Sequence, residues 1–274
     1  MYRLQSNNFK NVVWLIKIAA ICLLLGRAWQ HFFWTTPYGI ILPIEQGLQM
    51  KYFNTIIGVY LLGGGVVGLV YRGKQKWQTA YLYGVVAIIL FLSVCYWVTK
   101  NYRFVQFFEY SIHIGTVWML IYLYKSPVVD WQKTQFILKV LIACTFTSHG
   151  LYALGFPYAT PAGFIEMTTK ILGLDHEVAI IFLKLAGFLD LLLSVGLFFK
   201  NTEKPALYYA FCWGILTALA RTAAYFDALS PVASLHRWFY ETLHRMPHAL
   251  LPLALMAVCG FLFFKKEKRV KMVD

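Results

Sequence analysis

Gln78–Val98, QTAYLYGVVAIILFLSVCYWV, is a run of 21 residues without a charged side chain. Crossing about 30 Å of hydrocarbon as an α-helix takes about 20 apolar residues, so this run is predicted to span a membrane. Similar apolar runs recur along the whole chain. We predict eight transmembrane helices, at about 11–34, 53–71, 78–98, 105–124, 135–155, 177–199, 206–226 and 246–264.

The amino-acid composition favours the same fold class. Hydrophobic residues make up 59% of the chain and charged residues 14%, whereas a soluble domain contains about 25% charged residues. The alternating strands that a β-barrel requires are absent from the sequence pattern, so we predict an all-α polytopic membrane protein. The net charge of +13 does not indicate nucleic-acid binding, because the basic residues follow the ends of the predicted helices and form no basic polar face.

The distribution of Lys and Arg predicts the topology. Fourteen of them lie before the first helix, in the even-numbered loops or after the last helix: Arg3, Lys10, Arg72, Lys74, Lys76, Lys125, Lys133, Lys200, Lys204, Lys265, Lys266, Lys268, Arg269 and Lys271. Six lie in the odd-numbered loops: Lys51, Lys100, Arg103, Lys170, Arg237 and Arg245. Because basic loops stay on the cytoplasmic side, both termini are predicted to be cytoplasmic. The outer loops at 35–52 and 156–176 are predicted to contain short interfacial helices, and Asp175 to cap the helix that follows.

The two halves of the chain share an order of polar residues. In each half a His precedes a Thr-Pro pair and then a Glu: His31, Thr36, Pro37 and Glu45, then His149, Thr160, Pro161 and Glu166. Four crossings per half leave the orientation unchanged, as a parallel duplication requires. We therefore predict two tandem four-helix units, residues 1–130 and 131–274, of which the second ends in a basic cytoplasmic tail.

Three short motifs resemble those of the DoxX-like superfamily of four-helix bacterial membrane proteins. The first is the end of the first helix in each half, Gly26–His31 (GRAWQH) and Ser148–Gly150 (SHG), and the second is the Pro-containing outer segment that follows it. The third is Leu185–Asp190 (LAGFLD), whereas the first half has Gly63–Gly65 without an acid. The resemblance implies two fused units in a bacterial inner membrane and a link with quinone or thiol redox chemistry. The cysteines form no C-x-x-C pair, which counts against thiol chemistry.

All seven histidines are predicted to lie at the outer side of the membrane: His31, His113, His149, His176, His236, His244 and His248. Ionisable side chains inside a bilayer cost about 2.5–3.5 kcal/mol each at mid-depth and commonly mark functional sites. Imidazole in particular serves in proton transfer and metal binding. The clustering therefore predicts an outward-facing polar pocket.

Helical spacing selects the residues that would line this pocket. Residues three or four positions apart share a helix face, and four pairs have this spacing: Arg27 with His31, Glu109 with His113, Glu241 with His244, and His244 with His248. We predict that the pocket is lined by Arg27, His31, Glu109, His113, His149, Arg221, Glu241, His244 and His248. For Asp190, which lies deeper, an ion pair with Arg221 is the structural alternative to a functional role.

Three kinds of chemistry fit this set of residues. His and Arg donate hydrogen bonds to the oxygens of a quinone or a lipid head group, and a His–Glu pair transfers protons. Glu241-x-x-His244 has the spacing used in di-iron bundles, but one such motif is too few for a di-iron site, and we predict no metal ligand. Intramembrane acids and His also serve in proton-coupled transport. We favour an amphipathic ligand, a quinone or a lipid, in electron or proton handling; the sequence assigns no catalytic residue.

Two alternatives stay open at this point. A polar path that continues to the cytoplasmic side would favour a proton-coupled small-solute transporter, whereas a pocket open to lipid would favour the quinone or lipid. A flat buried contact with another membrane subunit would favour a non-catalytic scaffold.

Overall fold

The computed structural model describes residues 6–126 and 129–262, with the backbone alone over residues 6–8. In these ranges the chain forms α-helices, one short 3-10 helix and no strand, which confirms the all-α prediction. The elements are α1 Ser6–Phe33, the 3-10 helix Pro37–Ile40, α2 Leu48–Val70, α3 Lys76–Thr99, α4 Phe104–Glu109, α5 Ser111–Lys125, α6 Trp131–Leu154, α7 Ala162–Leu172, α8 His176–Gly196, α9 Glu203–Ala224, α10 Pro231–Arg245 and α11 Pro247–Val258.

Six helical segments are long and apolar enough to cross a membrane, as expected of a polytopic helical membrane protein: Phe9–Phe33, Leu48–Val70, Lys76–Thr99, Phe104–Lys125, Trp131–Leu154 and His176–Gly196. The predicted crossings at 206–226 and 246–264 are not among them. α9 has 22 residues but includes charged side chains, and α11 has 12 residues. These two crossings therefore stay predictions. Arg3 and the basic tail from Lys265 onward lie outside the described residues.

Two regions depart from the predicted helix boundaries. The predicted span at 105–124 is divided at Tyr110, where α4 ends and α5 begins. The residues before the last predicted span form α10, separated from α11 by Met246. α10 has a strongly amphipathic pattern with many polar residues, so a search for apolar runs does not find it.

The two loops that are predicted to lie at the outer side differ in structure. The loop at 35–52 contains the 3-10 helix Pro37–Ile40, whereas the loop at 156–176 contains the 11-residue helix α7. Gly173 ends α7 with a φ of 63°, a left-handed conformation that favours glycine. Asp175 lies at the N-cap of α8 as predicted, but its side chain makes no capping hydrogen bond.

The first helix of each half packs against the last helices of the other half. α1 contacts α10 and α11, and α6 contacts α4 and α5. Within each half, α1 packs along α2, and α6 packs along α8. Aliphatic side chains with no exposed surface fill the centre, among them Leu23, Leu120 and Leu255. This packing holds the C-terminal ends of α1 and α6 beside α5, α10 and α11, at what we call the outer end of the bundle.

Two glycines allow close approach of the helices that hold histidines. A Cβ atom at Gly26 would lie 2.5 Å from the backbone nitrogen of His244, and one at Gly214 would overlap the carbonyl group of His248. Any larger residue would push the neighbouring helix away, since small residues are what lets helix backbones touch. Gly26 and Gly214 therefore fix the positions of His244 and His248 against α1 and α9.

Candidate functional site

Four histidines from four helices lie together at the outer end of the bundle. We call His113, His149, His244 and His248 the histidine group. Ring centroids are 5.7 Å apart for His113 and His244, 5.5 Å for His113 and His248, and 5.3 Å for His149 and His248. His149 is half-buried and the other three are buried. The sequence places these residues up to 135 positions apart, and tertiary packing brings them into contact.

Hydrogen bonds assign the proton positions on two of the rings. His248 Nδ1 lies 2.9 Å from the carbonyl oxygen of Arg245, and because a carbonyl oxygen can only accept, Nδ1 carries a proton. In the neutral imidazole Nε2 of His248 is then an acceptor, and His149 Nε2 at 3.2 Å donates to it. The two rings therefore form a directed hydrogen bond that orients His149.

Arg27 lies beside the histidine group with 2% of its surface exposed. Its guanidinium donates to Gln30 Oε1 at 2.7 Å and faces His113 Nδ1 at 3.4 Å. The ring of Tyr110 lies 5.1 Å from the guanidinium carbon. A buried cation over an aromatic face gains about 2 kcal/mol. Arg27 thus supplies a buried positive charge to the outer end of the bundle.

Three buried polar atoms here have no hydrogen-bond partner within the described ranges: Arg27 Nε, His113 Nε2 and His244 Nδ1. Buried polar groups almost always have a partner, so these three atoms depart from the usual pattern. Because Arg27 donates toward His113 Nδ1, the free Nε2 of His113 holds the ring proton. At least two of the three atoms are therefore donors suited to an oxygen acceptor.

Glu241 joins two arginines at the edge of the histidine group. Its carboxylate accepts from Arg221 and Arg245, each at 3.0 Å, and lies 3.5 Å from His244 Nε2. Asp190 instead accepts a hydrogen bond from Tyr209 at 3.2 Å. The structural alternative for Asp190, an ion pair with Arg221, is therefore not found among the described residues, because Arg221 extends toward Glu241 on α10. Two arginines on one carboxylate leave a net positive charge.

A pocket of about 450 Å³ opens beside these residues, and we call it the lateral pocket. Its wall is mostly apolar, and its basic side chains are His149, His248, Arg221 and Arg245. The lining residues are Phe146, His149, Ala153, Phe164, Met167, Thr168, Ile171, Leu172, Phe182, Leu183, Ala186, Asp190, Trp213, Leu216, Thr217, Leu219, Ala220, Arg221, Ala223, Arg245 and His248. Leu216 and Leu219 are 58% and 44% exposed, so the pocket opens through the side of the bundle.

Two residues predicted to line the pocket have other partners. His31 donates from Nδ1 to the carbonyl oxygen of Arg27 at 2.6 Å, and its Nε2 accepts from the Tyr38 hydroxyl at 2.9 Å. Glu109 accepts from Gln106 at 2.7 Å and makes no hydrogen bond with His113 in the described part of the chain. The i,i+4 argument for Glu109 fails because it requires one continuous helix, and the helix is divided at Tyr110.

The other two histidines lie apart from the histidine group. His236 packs against Phe33, with ring centroids 4.8 Å apart. His176 is exposed at the start of α8. The structure thus brings together Arg27, His113, His149, Arg221, Glu241, His244 and His248 from the predicted set.

Sequence reasoning left out several residues that surround Arg27. Gln30 donates to the Tyr96 hydroxyl at 2.7 Å, and the Tyr96 ring stacks on Tyr110 at 5.5 Å. Tyrosines at helix ends are typical of interfacial belts, so nothing in the sequence separates these two from the others. Arg245 could have been found, because it is four residues after Glu241.

Among the residues that the structure describes, no group of three or more His, Cys, Asp or Glu side chains could hold a metal ion. At Glu241-x-x-His244, two arginines bind the carboxylate oxygens. Comparison of the chain with protein-family models, curated proteins and solved structures finds no match. A function for this chain is therefore inferred from the geometry of the site.

Proposed function

We propose that this chain is a bacterial inner-membrane protein whose lateral pocket binds an amphipathic molecule, a quinone or a lipid. The observation that supports this best is the lateral pocket itself, with about 450 Å³ of space, an apolar wall and a small set of basic side chains. Small-molecule sites usually have this size and this mixture of apolar wall and few polar groups. The exposed leucines at its rim would allow entry from the hydrocarbon of the bilayer.

The basic side chains of the lateral pocket provide hydrogen-bond donors for the polar head group of the proposed ligand. Arg221 and Arg245 are donors that share one carboxylate, Glu241, so their remaining N–H groups can bind a quinone carbonyl or a phosphate oxygen. The hydrogen bond between His149 and His248 lies at the same wall. A pair of imidazoles joined by one hydrogen bond is suited to general acid–base transfer. This arrangement is our reason for favouring electron or proton handling.

Proton-coupled transport of a small solute has weaker support. Such a path would continue from the histidine group to the opposite end of the bundle. The interior there is filled by Ile142, Met119 and Leu251, each without exposed surface. An apolar packed core conducts neither protons nor polar solutes. A scaffold role is favoured by no specific contact surface within residues 6–126 and 129–262.

We further propose that α9 and the segment from α11 onward also cross the membrane, giving eight crossings in two tandem units, 1–130 and 131–274, similar to DoxX-like proteins. Each half has a long helix, a short outer helix, two long helices and a divided last helix, in that order. The reciprocal packing of α1 on α10 and α11, and of α6 on α4 and α5, supports the same division. With this topology both termini would be cytoplasmic.

Analysis of co-purified small molecules tests the proposal. The wild-type chain, His149→Leu and His176→Leu would be purified in detergent, and each organic extract assayed for quinone by its redox-dependent absorbance and for lipid by its phosphorus content. We expect wild type and His176→Leu to retain about one molecule per chain and His149→Leu to lose most of it, because His149 lines the lateral pocket and His176 does not. Equal retention by all three would contradict the proposal.

A further inference from the structure

We infer that a second site, at the end of the bundle where α1 begins, binds the head group of an anionic phospholipid. A cavity of about 520 Å³ lies there between α1, α2 and α5. It is lined by Val13, Trp14, Lys17, Leu69, Val70, Arg72 and Tyr124. None of these residues lines the lateral pocket, so this inference does not rest on the proposed function.

Lys17 supplies a buried cation to this cavity, with 7% of its surface exposed. Its Nζ donates to the carbonyl oxygens of Leu69 at 3.0 Å and Tyr71 at 3.1 Å, at the end of α2. An ammonium group has three N–H donors, so one remains for another acceptor. The carbonyl groups at a helix C-terminus carry about half a negative charge, which offsets only part of the charge on Lys17.

Arg72 adds a second positive charge at the same cavity, and its side chain is exposed. In the ranges that the structure describes, neither Lys17 nor Arg72 forms an ion pair with a carboxylate. Basic pockets between transmembrane helices attract anionic head groups. The carbonyl groups, together with the rings of Tyr124 and Trp14 at 5.2 Å and 5.9 Å from Lys17 Nζ, offset this positive charge only in part. A phosphate oxygen between Lys17 and Arg72 would balance the remainder.

The walls of the cavity favour a lipid over a free anion. Trp14 is 56% exposed, and Leu69 and Val70 are 53% and 54% exposed. Trp is enriched at the membrane–water interface, and the two aliphatic side chains continue the apolar surface of α2 toward the bilayer. A phospholipid would use both the basic residues and this apolar surface, whereas a free phosphate would use the basic residues alone.

Lipid titration of the full chain in detergent tests this site. Native mass spectrometry would compare binding of phosphatidylglycerol and phosphatidylcholine with identical acyl chains. We expect wild type to bind phosphatidylglycerol about 25-fold more tightly, because Lys17 and Arg72 each contribute about 1 kcal/mol, which is about fivefold. Arg72→Gln should lower this preference to about fivefold, the share of Lys17. Lys76→Gln is the matched control, since Lys76 is exposed in the same region and does not line the cavity.

Three outcomes would overturn the inference. One is equal binding of the two lipids by wild type, and another is an equal loss of preference in Arg72→Gln and Lys76→Gln. The third is stabilisation by inorganic phosphate as large as that by phosphatidylglycerol at equal concentration, which would indicate a free-anion site. Arg72 makes no side-chain hydrogen bond with the described residues, so Arg72→Gln should fold normally, as its unchanged melting temperature without added lipid would show.

Discussion

The two halves of the molecule place a histidine at equivalent points and surround it differently. In the first half Tyr38, 1% exposed, donates its hydroxyl to His31 near the end of α1 and packs between the rings of Phe53 and Phe91. In the second half His149, near the end of α6, lines the lateral pocket. Tyr38 thus occupies in the first half the kind of space that we propose for a ligand in the second. On the proposed function, the first half uses this space to stabilise the fold and the second half uses it to bind the ligand.

The largest effect is expected on stability, when the Tyr38 ring is removed from the first half. Tyr38→Ala would remove a fully packed aromatic ring and is expected to lower the free energy of unfolding by about 3–5 kcal/mol. Phe164→Ala is the matched control, because Phe164 is half-buried and already faces the lateral pocket. Its loss should therefore be clearly smaller. Denaturant unfolding in detergent measures both values, and equal losses would show that the two halves do not differ in this way.

Filling the lateral pocket in the second half should weaken ligand binding with little effect on the fold. Ala220 lines the lateral pocket, and Ala220→Phe would place a ring in the space proposed for the ligand. We expect affinity for a short-chain quinone or a short-chain phospholipid to fall at least tenfold, about 1.4 kcal/mol. Both proteins are titrated with a probe, whichever of these two molecules the wild type binds, and binding is followed by protein fluorescence.

Ala87→Phe serves as the control for the filled pocket. Ala87 is exposed on α3, outside the lateral pocket, so the added ring would contact detergent or lipid. This variant should bind the probe as wild type does. If Ala87→Phe and Ala220→Phe weaken binding equally, or neither does, the lateral pocket is not the binding site.

The smallest effect is expected on the pKa of Glu166, whose counterpart in the first half is Glu45. Glu166 on α7 accepts from Lys170 at 2.8 Å, and this hydrogen bond lowers the pKa of Glu166. Glu45 in the first half accepts from the neutral Gln49 at 3.2 Å. Lys170→Gln should raise the pKa of Glu166, because the carboxylate would lose its charged donor. Carbon-13 NMR titration measures the shift; both side chains are exposed, so stability should not change. A pKa that does not rise would contradict this account of the pair.

Much of the fold could be predicted from the sequence, because the hydrocarbon of a bilayer restricts the backbone of a spanning segment to few structures. Runs such as Gln78–Val98 must be helical where they cross a bilayer, since no water is available to bind their backbone groups. The same reasoning predicts that polar residues at the outer ends of helices lie at one level. That level is where His113, His149, His244 and His248 meet.

The rest could not be predicted, since it depends on how helices end and pack. Because of the division at Tyr110, Glu109 and His113 do not lie on one continuous helix, and no Pro or Gly marks this point. α10 is amphipathic, so it has no long apolar run by which the sequence would reveal it. Glu241 on this helix, and not Asp190 on α8, is the partner of Arg221. The lateral pocket is space between α6, α7, α8 and α9 beside Arg245 of α10 and His248 of α11, which no sequence pattern encodes.

The most direct test of the central claim is a crystal structure of the protein grown from a lipid-based medium that contains its own membrane extract. We predict elongated electron density in the lateral pocket, with a polar head within hydrogen-bond distance of His149, His248, Arg221 or Arg245 and a tail that leaves past Leu216 and Leu219. A lateral pocket closed by movement of α9, or filled with ordered water alone, would contradict the claim.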